Sequence, residues 1–173
     1  HVMSTFRYKD KEAEWKIIIV ELAQGFVQSM IEKETTYYEM DPTEDPLLSE
    51  QQMQLIHDSF GPVVRSVYTE YVAYLKMILP TLVNNYETSL ALPKCPQNKM
   101  IMNIYASQLA WCIEFIVSTL QSRSTTPTSD VSMKLDVEIS QMAIQIVRNY
   151  MNHVKDSSDI PQLTDMDESG EFK

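Results

Sequence analysis

The sequence predicts an all-α chain of antiparallel helical hairpins stacked as HEAT-like repeats, an α-solenoid segment. Three observations predict it. Apolar residues recur at spacings of three and four over four long stretches, and no stretch alternates with period two for long enough to make a strand. Glycine is scarce, with three in 173 residues, whereas tight β-turns and phosphate-cradling loops lean on it. Short polar or proline-punctuated connections join the helical stretches, which makes successive helices antiparallel neighbours. Their pair spacing of roughly forty residues suits HEAT-type units.

Residues 99–120 form the most apolar stretch and hold neither proline nor glycine. Ile101, Tyr105, Leu109, Cys112, Ile113, Ile116 and Leu120 share one helical face, and Trp111, Phe115 and Val117 load the others. A helix apolar nearly all round is buried in a core or a membrane. Gln108, Glu114 and Ser118 interrupt the run, which argues against a membrane span and for a central helix between others.

The preceding elements follow in chain order. Asp10 can cap a first helix that runs to about Glu34, with Trp15, Ile18, Ile19, Leu22, Phe26 and Met30 as its apolar face. Gly25 within it is expected to admit a neighbouring helix closely. Residues 35–49 read as an acidic loop, because Asp41-Pro42 and Asp45-Pro46 forbid helix continuation. Ser49 and Gln52 then make a capping box for a short helix over residues 50–59. Gly61-Pro62 restarts the chain, with Pro62 suited to a first helical position. A long helix follows to Leu90, and Pro80 should kink it. Residues 123–130 are a polar loop, and Ser129 or Asp130 caps the last helix. That helix turns Leu135, Ile139, Met142, Ile146 and Tyr150 inward, with Val137, Ile144 and Val147 beside them. The expected plan is a tag-like lead over residues 1–9, a repeat segment over 10–154, and an acidic, disordered tail over 155–173.

Composition narrows the function. The net charge is −10 and the pI near 4.7, which disfavours nucleic acid and anionic membranes as partners and suits a basic protein. Residues 39–50 carry five acids and no base, and residues 154–173 carry six acids and two bases. These two segments therefore hold nine of the ten net negative charges, and the helical body is nearly neutral. Acidity gathered in connecting segments is what a site for a basic partner looks like; solvated acidic turns have the same composition.

Chemistry of other kinds finds no support. There is no GxGxxG, GxxxxGK[ST] or HExxH pattern, so no cofactor, metal site or catalytic residue is assigned. The loop carboxylates lack the EF-hand spacing and its glycine. His57 and His153 read as surface histidines, and Cys112 as an inert core thiol. Cys95 precedes a proline at a helix start, where a thiol can be activated, but an ordinary thiol is the expectation. With two cysteines, no N-x-S/T acceptor and no signal peptide, a reducing intracellular compartment is expected.

The order of these features resembles an internal region of the exportin-seven group, Ran-binding nuclear transport receptors of the importin-β superfamily. The resemblance is carried by IVELAQGFVQSMIEK, by the acidic DPTEDPLL, by the stretch from SEQQMQLIHDSFGPVV to NNYETSL, and by ASQLAWCIEFIVSTLQSR. It spans about Trp15 to Tyr150 and includes Asp45-Pro46-Leu47, Gln51-Gln52 and the run from Trp111 to Arg123. The glycine-rich end that the family gives its hydrophobic helix is replaced here by Ser118-Thr119 and Gln121-Ser122. The resemblance implies a non-enzymatic piece of a longer receptor that shuttles between nucleus and cytoplasm. Such receptors bind Ran-GTP and protein cargo and meet nucleoporins in the pores. In several of them an acidic loop contacts a basic patch on Ran, and Asp41, Glu44 and Asp45 are the residues that match it by position and composition. A scaffold solenoid unrelated to transport is the alternative.

Overall fold

A computed structural model describes residues 11–40, 50–122 and 129–156. Five helices occupy them: α1 Glu12–Met40, α2 Glu50–Arg65, α3 Tyr68–Leu90, α4 Pro96–Gln121 and α5 Asp130–Asp156. No strand occurs among the described residues. The all-α expectation holds.

Helix α4 is the hub. It packs against α1, α2, α3 and α5, and its Trp111, Cys112, Phe115 and Ile116 are wholly buried. Its length and hydropathy would suffice to cross a bilayer, but other helices cover it, as a core helix is covered. Phe115 sits at the centre of an aromatic cluster, 5.0 Å from Phe60, 5.7 Å from Trp111 and 5.8 Å from Phe26 between ring centroids. Tyr71 joins it through Phe60. At this core, side chains from α1, α2, α3 and α4 meet.

Four expectations need correction. First, α1 does not stop at Glu34 but continues to Met40, so the connection begins later than residue 35. Nothing before Asp41 forbids helix, and Gln108 of α4 donates to the Ile31 carbonyl (3.1 Å) and to Thr35 Oγ1 (3.3 Å), which anchors those turns. Second, the predicted inner face of α1 mostly points outward. Trp15, Ile18 and Leu22 are exposed, while Ala23, Val27, Met30, Ile31 and Glu34 are buried. The helix carries two apolar stripes, and the one with a small residue at Ala23 and a polar anchor at Glu34 takes the core.

Third, Gly61-Pro62 lies inside α2 rather than between helices. Proline forfeits only its own N–H and a clean i−4 bond, and tertiary packing outweighs that cost here. The break falls at Ser66–Val67, where Ser66 and Val67 donate to the carbonyls of Val63 and Val64, closing the turn with i→i−3 bonds of 3.1 Å. Val67 leaves helical geometry with φ −126° and ψ 37°. Fourth, the close-approach glycine is Gly61, not Gly25. A Cβ on Gly61 would lie 2.5 Å from the Ser118 carbonyl oxygen, whereas one on Gly25 would meet nothing within 4 Å.

In α5, Ile139 and Ile146 face inward as expected, but Tyr150, Val137, Ile144 and Val147 are exposed. Ser129 supplies the cap, its Oγ accepting the Ser132 N–H at 3.1 Å. The proposed Asp10 cap and the Ser49–Gln52 capping box fall outside the described residues and side chains.

Candidate partner-binding segment and the helices that hold it

Asp41, Glu44 and Asp45 lie outside the described residues. What the structure places is the pair of helices on either side of them. Helix α1 ends at Met40 and α2 begins at Glu50, and each is fixed to α4 by polar contacts as well as by packing.

On the α1 side the contact is a buried carboxylate. The Trp111 indole N–H donates to Glu34 Oε1 at 2.7 Å, and both side chains have no solvent exposure. A carboxylate is kept in an apolar interior only where donors meet it. With the two Gln108 bonds one position-turn away, α4 grips the last third of α1.

On the α2 side three hydrogen bonds to α4 and one close backbone approach run along the helix. His57 Nε2 and Glu114 Oε2 are 3.1 Å apart. The Ser118 hydroxyl donates to the His57 carbonyl at 3.4 Å, and Gly61 rests directly on Ser118. At the end of α2 the Arg65 Nε–H donates to the Thr119 carbonyl at 2.9 Å, and its Nη1 pairs with Asp136 of α5 at 2.7 Å. The guanidinium also lies 4.4 Å from the centre of the Tyr68 ring, and the Tyr68 hydroxyl donates to the same Asp136 oxygen. Arg65, Tyr68 and Asp136 thus tie the α2–α3 break to both α4 and α5. Burial above all, then the Asp136 hydrogen bond, hold the Tyr68 phenol far above its usual range, against the opposing pull of Arg65.

Sequence reading missed these anchors. His57 is a half-buried link between helices rather than a surface residue. Glu34 sat in a polar run, and nothing in the local sequence singled out Arg65; only the contact partners, 54 to 77 positions away, reveal them. Cys112 is, as expected, an inert core thiol, pushed up to about 12 by burial. Cys95 is half-buried at the start of α4, on an open groove of about 550 Å³ lined also by Leu92, Pro93 and Lys99. Among the described residues no group of three or more His, Cys, Asp or Glu could hold a metal ion.

With the anchors placed, the comparison with known families reads directly onto the fold. The family model described as Exportin-7-like, TPR domain matches residues 34–166. The chain belongs to the exportin-7-like TPR-domain family. The match begins at the buried Glu34 and takes in the acidic connection and helices α2 to α5. The resemblance seen in the sequence is therefore confirmed, and the helical-repeat fold with it. The family is one of helical transport-receptor domains rather than of enzymes. No curated protein and no solved structure matches the chain.

Proposed function

We propose that this chain is a segment of a nuclear transport receptor that binds Ran in its GTP form together with protein cargo. In this reading the segment is non-enzymatic and needs no cofactor. The parent receptor shuttles between nucleus and cytoplasm and meets nucleoporins on the way. Residues 41–49 present Asp41, Glu44 and Asp45 to a basic patch on Ran.

One observation supports the reading: the family match spans the acidic connection together with the last two turns of α1 and all of α2. Both helices are fixed to α4 through Glu34–Trp111 and His57–Glu114. Fixing both ends of a charged segment lowers the entropy lost when it docks, and concentrated like charge speeds encounter with a basic surface. The experiment is binding of Ran by the parent receptor in the two nucleotide states. A preference for the GTP form supports the reading. Equal binding of both forms, or none, leaves a solenoid scaffold without a transport role.

A further inference from the structure

The turn between α3 and α4 borders an open groove of about 550 Å³. Leu90, Leu92, Pro93 and Met102 give it an apolar lining, and Leu92 stands 38% exposed. Its charged lining residues are Lys94 and Lys99, both exposed, and no acid lines it among the described residues. In a chain of net charge −10 such a groove attracts a segment that is both apolar and acidic. It lies between two interior helices, with further helices before and after it in the chain.

The end of α5 comes out beside this groove. Helix α5 runs parallel to α3: Asp136 meets Tyr68 at the start of α3, and Tyr150 and His153 meet Tyr86 near its end, with ring centres 6.3 and 6.1 Å apart. Asn149 donates to Glu87 Oε1 at 2.9 Å. Ser89 and Leu90, one turn beyond Tyr86, already line the groove. Asp156, the last residue of α5, is one turn beyond His153, so α3 and α5 finish at the edge where α4 starts. The chain then continues with matching chemistry. Residues 159–168 hold Ile160, Pro161, Leu163 and Met166, and carry four acids and no base. An extended chain covers about 3.3 Å per residue, so Ile160 can lie about 13 Å from Asp156. The distance along α3 from Tyr86 to Leu90 is about 6 Å. The family match runs past α5 to residue 166 and takes in these apolar residues.

We propose that residues 159–168 fold back along the groove at the α3–α4 turn, with Ile160 and Leu163 in its apolar lining and the acids beside Lys94 and Lys99. A segment joined to its site by a few residues acts there at an effective concentration on the order of millimolar, which selects it over a separate acidic protein. Docked in this way it covers Cys95 and ties the end of α5 to the start of α4. This inference rests on the placement of the groove and of the helix ends and is independent of Ran binding.

Cys95 reports on the groove, because it lines it half-buried while the other cysteine, Cys112, is wholly buried. The test is the rate at which iodoacetamide alkylates Cys95 in the 173-residue chain, with helix content checked by circular dichroism. Ile160→Asp with Leu163→Asp should speed alkylation about tenfold, the change expected of a site that the wild-type segment covers about nine-tenths of the time. Asp159→Lys, Asp165→Lys and Asp167→Lys together should also lose the protection, and adding Lys94→Glu with Lys99→Glu should restore it. Each of these charge variants is compared with the same chain carrying Ile160→Asp and Leu163→Asp, which removes any direct effect of the lysines on the thiol. Equal rates in the wild type and in the Ile160→Asp, Leu163→Asp chain, or a charge reversal that restores nothing, would overturn the proposal and leave the groove to a separate acidic partner.

Discussion

The indole N–H of Trp111 in α4 meets the carboxylate of Glu34 in α1 at 2.7 Å, with both side chains out of reach of water. The bond joins the hub helix to the helix that leads into the acidic connection. Trp111→Phe keeps most of the ring volume and removes the donor. It should cost about 2–4 kcal/mol, because a buried acceptor loses a charge-assisted bond and some packing is lost with it. Urea unfolding reads this directly. Glu34→Gln, which retains an acceptor, should cost less.

The two described glycines should respond in opposite directions to alanine. Gly61→Ala puts a Cβ 2.5 Å from the Ser118 carbonyl oxygen, and a backbone atom has little room to yield. A loss of about 1–3 kcal/mol is expected. Gly25→Ala meets nothing within 4 Å and should gain about 0.5–1 kcal/mol from helix propensity. Thermal melts of both variants decide it. A neutral Gly61→Ala would mean that α2 and α4 are farther apart than the structure has them.

Tyrosine ionisation should limit stability at high pH. Burial, as the first cause, raises the phenols of Tyr68 and Tyr71 far above their ordinary value of 10.0. Below that value folded and unfolded chains are both protonated at these sites, and the contribution to stability is complete. Above it the unfolded chain releases protons that the native chain retains, so stability falls as pH rises. Phenolate absorbance should therefore show two tyrosines that ionise only together with loss of helix. Removing Tyr68 by Tyr68→Phe should shift the alkaline transition, and an unchanged midpoint would contradict the placement of that hydroxyl.

Neutralising the acidic connection should weaken Ran binding without touching the fold. Asp41→Asn, Glu44→Gln and Asp45→Asn together should lower affinity and flatten its salt dependence, since screening acts on exposed charge. Isothermal titration at two ionic strengths is the measurement. Unchanged affinity and slope would make these residues a solvated turn.

The sequence made some of this legible. The hub helix was readable because residues 99–120 are apolar on every side and contain no breaker. The face of α1 was not, because a chain with two apolar stripes offers two registers, and only Ala23 and Glu34 choose between them through contacts with distant residues. Gly61-Pro62 looked like a break by its local chemistry, but packing on Ser118 carries the helix through it. The acidic segment stood out as charge, while the anchors that hold its flanks did not, since a buried glutamate and an exposed one look alike in a sequence.

The proposed role in a Ran-dependent transport receptor turns on the nucleotide state of Ran. The most direct measurement is the affinity of the parent receptor for Ran loaded with GTP against Ran loaded with GDP, at fixed salt. Tighter binding of the GTP form by about a hundredfold, equivalent to about 2.7 kcal/mol, is expected. Equal affinities for the two forms would contradict it.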